Sequence, residues 1–144
     1  MGPGVRRAWA VAIIAATVWG CAAMTESERS LTPVKQVKAA LEGAAAGLAA
    51  QSVSQMMAWT SDDFSNSQGL DKPAIHRYLD GIHTQGGLTG VWLNLSECEI
   101  VIDDDKATAS PVIVESPSGI QEYVYRFRKE ADGVWRIVNS ELID

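Results

Sequence analysis

His76, Asp80 and His83 are the residues whose types and spacing most directly suggest chemistry. At an interval of four, an imidazole and a carboxylate on a helix come within pairing distance. The two histidines lie seven apart, about 10 Å along a helix axis, which is too far to share one metal ion. They could serve as acid–base groups if they faced a cavity. The simpler reading is a pair of boundary residues beside the apolar face, with solvent and Asp80 as partners. Asp103–Asp104–Asp105 has the charge for calcium but lacks the spaced oxygen ligands and the glycine of a calcium loop, so it reads as a solvated turn. Asp62–Asp63 could supply a base at a pocket mouth, or simply cap and brace a loop. Cys98 has no Lys, Arg or His close in sequence to stabilise a thiolate, and reads as a small apolar side chain in a strand. No catalytic residue, metal ligand set or cofactor is assigned from these patterns.

The other cysteine stands in a different context. Met1–Arg7 carries two arginines, Ala8–Trp19 is an uncharged run, and Val18–Trp19–Gly20–Cys21 follows. A transmembrane helix needs about 20 apolar residues; this run is shorter and suits the core of a signal peptide. The four residues resemble the lipobox of bacterial lipoproteins, in which the terminal cysteine thiol takes a diacylglycerol. Trp19 departs from that pattern, where a small residue is usual. The expectation is a lipoprotein signal peptide over 1–20, a lipidated Cys21 with a polar tether over 21–33, and one domain over 34–144. Two alternatives remain: ordinary cleavage at Gly20–Cys21–Ala22 to give a secreted protein, or an uncleaved anchor. The resemblance implies export to the cell envelope. Ala22, rather than Asp, implies the outer membrane if the cell is Gram-negative.

The chain has 144 residues and a formal charge of −6, and loss of the leader would remove two arginines and make it more acidic. Nucleic acid and anionic surfaces need clustered Lys and Arg, so neither is an expected partner apart from membrane contact through the lipid.

The elements that must position any site follow from periodicity. Val34, Val37, Leu41, Ala45 and Leu48 repeat at helical spacing, with Thr32 as N-cap and Pro33 in the first turn. Gly43 and Gly47 lie away from that stripe, where they would only weaken the helix. Ser52–Gln55 is a capping-box pattern opening a short helix from Val53 to about Trp59. Thr60–Asp63 reads as an exit loop, Phe64 as a plug into the core, and Asp71 as the cap of a third helix with Ile75, Tyr78, Leu79 and Ile82 on its apolar face. From Val91 the period becomes two. Four strands are expected, Val91–Asp103, Ala107–Glu115, Ile120–Lys129 and Val134–Leu142. Leu93 and Leu95 are out of phase with Cys98, Ile100 and Ile102; a bulge near Ser96–Glu97 would bring all five to one face.

Several stretches carry a resemblance. They are the helix pair broken at Gln51–Ser52, the Asp62–Asp63–Phe64 exit, Gly69-x-x-x-x-Ala74–Ile75, and Ile100–Val101–Ile102–Asp103 with Ala107-x-Ala109. The most specific is the run from Tyr125–Arg126–Phe127–Arg128–Lys129–Glu130 through Asp132–Gly133 to Trp135–Arg136–Ile137–Val138. Residues 34–142 resemble the nuclear transport factor 2-like superfamily, which includes polyketide-cyclase-like and ketosteroid-isomerase-like proteins. The resemblance implies an α+β, cystatin-like cone, with N-terminal helices packed on a curved four-stranded antiparallel meander and a pocket at the open end. It also implies that a homodimer through the outer sheet face is feasible. Catalytic members place an Asp, His or Tyr inside the cone, but none of their signatures is intact here.

Within such a cone the candidate pocket residues are Trp59, Phe64, Tyr78, Tyr123, Tyr125, Asn139 and Glu141. Aromatic side chains provide flat apolar walls with polar tips. Asn139 and Glu141 share strand parity with Trp135, and a buried Glu141 would be a candidate base. The function expected is binding of a small apolar ligand or an envelope protein without catalysis. An acid–base isomerase or dehydratase and a structural or assembly factor are the alternatives.

Overall fold

The computed structural model describes residues 31–143. The expected leader, Cys21 and most of the tether lie outside them. Helix α1 spans Pro33–Ala49; the Thr32 side chain caps it by accepting from the Lys35 N–H, and Pro33 occupies its first turn. Its buried face is Val37, Ala40, Leu41, Ala44, Gly47 and Leu48. That face is rotated from the expected one, because Val34 is exposed and Ala44 replaces Ala45. The cause is helix α2, Val53–Ala58, capped by Ser52. A Cβ on Gly47 would lie 3.0 Å from the Met56 nitrogen, so this glycine sits where the two helices touch.

Strand β1, Thr60–Asn66, replaces the expected exit loop. It pairs in parallel with β6, Trp135–Leu142, at the sheet edge. Nothing in Thr60–Asn66 alternates strongly in hydropathy; the strand exists because a partner some seventy-five residues later offers its edge. Helix α3, Lys72–Thr84, is capped by Asp71, which accepts from Ala74 N–H at 3.0 Å. It buries no residue fully.

The expected first long strand is two pieces, β2 (Trp92–Asn94) and β3 (Glu99–Asp103), with a turn between them. Both lie along the same edge of β4, Lys106–Ser116. Leu93, Leu95, Cys98, Ile100 and Ile102 all pack against the same core, as a break at Ser96–Glu97 requires. Strand β5, Gly119–Lys129, completes a mixed, six-stranded sheet of order β1-β6-β5-β4-β2, with β3 also on β4. The four-stranded antiparallel expectation is thereby corrected: a parallel edge strand is added and the first strand is divided.

Register shifts interrupt three strand pairs of this sheet, and the two in its antiparallel part bend it. Ala109 pairs with Tyr125 but Val112 with Tyr123, so Ser110 and Pro111 together oppose Val124. Phe127 pairs with Ile137 but Arg126 with Asn139, so Val138 is an extra residue in β6. Bulges of this kind increase twist and turn side chains over. One core lies between α1 and the sheet around Val37, Leu41, Phe64, Phe127 and Trp135. The Trp135 indole N–H donates to Gln36 Oε1 at 2.9 Å and ties the N-terminal part of α1 to the start of β6. A second cluster, Leu48, Val53, Met57 and Leu88, closes against α3.

Candidate functional site

Between the C-terminal half of α1, helices α2 and α3, and the concave sheet face is a cavity of about 480 Å³, in the range of small-molecule sites. Its inner end is made by buried side chains, among them Leu48, Met57, Phe64 and Ile137. Ile75, Leu79 and Ile82 of α3 form one wall, which is why that helix has a half-buried apolar face and no buried residue. The mouth is polar and uncharged: Ser67, Gln68, Ser118 and Gln121 are exposed there. Among the described residues that line the cavity there is no Asp, Glu, His, Lys or Arg.

Phe64, Tyr78, Tyr123 and Tyr125 all line it. Tyr123 and Tyr125 stand two apart on β5, with ring centroids 6.1 Å apart and planes inclined at 58°. Burial, and to a lesser degree Tyr78, raises the Tyr123 phenol. Burial, with a smaller contribution from Tyr123, pushes Tyr125 up to about 12. Both hydroxyls are therefore protonated near neutrality.

Trp59, Asn139 and Glu141 are placed elsewhere. Trp59 caps α2 and lays its indole over α1 at Gly43, where an added Cβ would come within 2.4 Å of the ring. The absence of a side chain at Gly43 makes the berth for the indole. The extra residue Val138 turns Asn139 and Glu141 to the outer face, where Arg126 donates to both, at 2.8 Å and 3.0 Å. Ser140 and Leu142 face the cavity in their place. A buried base at Glu141 is not formed. Strand parity predicts the wrong side here because one bulge reverses it.

The other reactive candidates also lie off the cavity. His76 Nε2 and Asp80 Oδ2 are 3.3 Å apart on the exposed face of α3. Asp62 is held below the usual carboxylate range by a hydrogen bond from Lys72. Asp63 pairs with Arg128 at 2.9 Å. Cys98 packs on the core, and burial pushes its thiol up.

A polar network not expected from the sequence joins β1, β5 and β6. Arg128 and Arg136 both donate to Glu130, at 2.8 Å and 3.0 Å, and the fully buried Ser61 hydroxyl donates to it at 3.1 Å. Burial by itself would raise Glu130, but these three donors together hold it below the usual range. Asp132, hydrogen-bonded by Arg136, is likewise lowered. The motif Arg-x-Arg-x-Glu-x-Asp spaces these charges, but only the parallel docking of β1 brings Ser61 and Asp63 to them.

No family model matches the chain, and no curated protein does. Solved structures do match. An NTF2-like protein of unknown function from Pseudomonas putida is 16% identical, with a TM-score of 0.61 over 76% of this chain and 84% of that one. A cystatin-like-fold protein of unknown function from Nostoc punctiforme is 16% identical, with a TM-score of 0.59 over 83% and 92%. The fold is the cystatin-like, NTF2-like cone. Bd1075 of Bdellovibrio bacteriovorus also matches at a TM-score of 0.63 and 12% identity, over 76% of this chain; the chain spans only 40% of that longer protein. At these identities the likeness concerns fold, and fold does not fix function.

Proposed function

We propose that the chain is an exported envelope lipoprotein, anchored through Cys21, whose cone binds a small uncharged apolar molecule without transforming it. The observation that carries the binding reading is the chemistry of the cavity wall formed by the described residues: mostly apolar side chains within, hydroxyl and amide groups at the mouth, and no Asp, Glu, His, Lys or Arg. Acid–base catalysis requires a positioned group that exchanges protons near the working pH. The imidazoles and carboxylates of the described residues lie off this wall. A charged ligand would find no counterion inside, and an unpaired buried charge is costly.

The anchor reading rests on the Val18–Trp19–Gly20–Cys21 sequence. A diacylglycerol on that thiol, with further acylation, holds a chain firmly at a bilayer. The tether would join the domain at the closed end, where Gln36 meets Trp135, while α1 runs about 25 Å toward the cavity. An anchored cone would therefore present its mouth away from the attachment point. Native mass spectrometry of the membrane-extracted protein tests both parts. A diacylglycerol mass on Cys21 and a retained neutral ligand are expected. An unmodified thiol ends the anchor reading. An empty cone that also takes up no neutral apolar probe ends the binding reading.

A further inference from the structure

We propose that the open end of the cone docks on a bilayer of zwitterionic lipid, with Trp92 and Ile120 on the sheet side of the mouth and Tyr78 on the helix side. The inference rests on the reading of the chain as a lipid-anchored binder of apolar molecules and names the surface its mouth meets. Seven large apolar side chains stand exposed among the described residues, and five of them gather at this end: Tyr78, Trp92, Ile120, Leu142 and Ile143. Tyr78 and Leu142 belong to the cavity wall itself. Trp92 and Ile120, 50% and 65% exposed, flank Glu115 in register. They lie on the outer face, opposite to Leu93 and Gln121, which line the cavity. Their row is next to the turn that joins Ser116 to Gly119, whose Ser118 is at the mouth. The Ile143 N–H donates to the Glu122 carbonyl at 2.8 Å, which holds Ile143 near the mouth residue Gln121.

An exposed apolar patch marks an interaction surface, and the make-up and reach of this one favour a membrane. Indole and phenol rings suit the boundary between hydrocarbon and water. The patch surrounds the opening of an apolar cavity, so a bilayer would cover the rim and offer the cavity apolar molecules together. A straight tether points the mouth away from Cys21. The stretch from Cys21 to Pro33, however, reaches up to about 40 Å when fully extended, whereas α1 covers about 25 Å. The domain can therefore turn over and set its mouth on the membrane that holds its lipid. Charge selects the kind of lipid. Segments 92–94, 112–125 and 139–143 carry Glu115, Glu122 and Glu141 but no Lys or Arg, and Arg77 is the one cation adjoining a rim residue in sequence. Glu141 is paired with Arg126, but Glu115 Oε2 has no hydrogen-bond partner among the described residues. Such a rim is repelled by anionic headgroups and favoured by an ammonium.

The test reconstitutes the membrane-extracted full chain into vesicles of phosphatidylethanolamine and phosphatidylcholine, with plain or brominated acyl chains, and compares tryptophan emission. The difference between wild type and Trp92→Phe isolates Trp92, because the other indoles cancel. Loss of the Trp92 emission in brominated vesicles is expected. In the Trp92→Phe background Tyr78→Trp should be quenched as well, while Val34→Trp at the start of α1 and Val101→Trp on β3 should not. Ile120→Asp should lower the ratio of docked to free mouths about tenfold, the worth of one buried aliphatic side chain, without changing flotation of the chain with the vesicles. All these positions are exposed, and the wild type with Trp92→Phe decides alone if another variant fails to fold. Flotation with an unquenched Trp92, or quenching of Val34→Trp in place of Tyr78→Trp, overturns the docking while leaving the anchor and the cavity intact. Equal or stronger Trp92 quenching in vesicles of brominated phosphatidylglycerol overturns the choice of a zwitterionic surface. Failure of the chain to float removes the anchor reading and this inference together.

Discussion

Gly43→Ala is the sharpest test of how the helices and sheet are fitted together. A Cβ at this position would stand 2.4, 2.5 and 2.6 Å from three atoms of the Trp59 ring. Carbon atoms rest at about 3.5–4.0 Å, so the indole must retreat by about 1 Å in a packed environment. Overpacking of this kind costs about 1–3 kcal/mol, against a gain of about 1 kcal/mol from replacing glycine by alanine within a helix. The expected balance is a loss of about 1 kcal/mol. Gly81 supplies the control: it lies inside α3 with nothing within 4 Å of its would-be Cβ. Gly81→Ala should therefore stabilise by about 0.5–1 kcal/mol. Urea unfolding followed by far-ultraviolet circular dichroism avoids any dependence on the Trp59 signal. In a Trp59→Leu background the berth is empty, and Gly43→Ala should become neutral or stabilising, with a coupling of about 1 kcal/mol or more between the two sites. The packing account is refuted if Gly43→Ala stabilises the unmodified chain as much as Gly81→Ala does, or if the effect at Gly43 is indifferent to the residue at 59.

Other consequences can be measured separately. Glu130→Gln should cost about 1–2 kcal/mol, because Arg128, Arg136 and the buried Ser61 lose their shared charged acceptor. Glu130 and Asp132 are both lowered on folding from their ordinary 4.5 and 3.8. Their stabilisation is present above those values and is lost as pH falls through the lower folded ones. Urea midpoints measured from pH 6 downward should fall, and fall less steeply in Glu130→Gln; identical pH profiles would exclude this role. Spectrophotometric titration should show a tyrosine ionising near 12, abolished by Tyr125→Phe. Since that folded value is raised, its contribution to stability is complete below about 10 and is lost as pH rises toward 12. Cys98, half-buried with a raised thiol, should react with a thiol reagent more slowly in the native state than after denaturation. Equal rates would show that it is accessible and ionised.

Much of the scaffold was legible locally. Thr32, Ser52 and Asp71 each cap the helix their sequence context announces, because an N-cap is satisfied by atoms three residues away. The period-two pattern located the strands, and the phase conflict between Leu95 and Cys98 located the break between β2 and β3. Four of the aromatic candidates line the cavity, since long apolar side chains on concave elements have few other places to go.

What only the tertiary structure decided depends on pairing between distant segments. Thr60–Asn66 is a strand because β6 provides an edge for it. Trp59 belongs to helix packing because α1 leaves a gap at Gly43. The polar network forms because β1 brings Ser61 and Asp63 beside Arg128 and Glu130. Most consequential is Val138: alternation along β6 points Asn139 and Glu141 inward, but one unpaired residue reverses every side chain beyond it. The sequence carries the alternation, whereas the register against β5 sets where it breaks, and that register determines that the cavity wall receives Ser140 and Leu142 instead of a carboxylate.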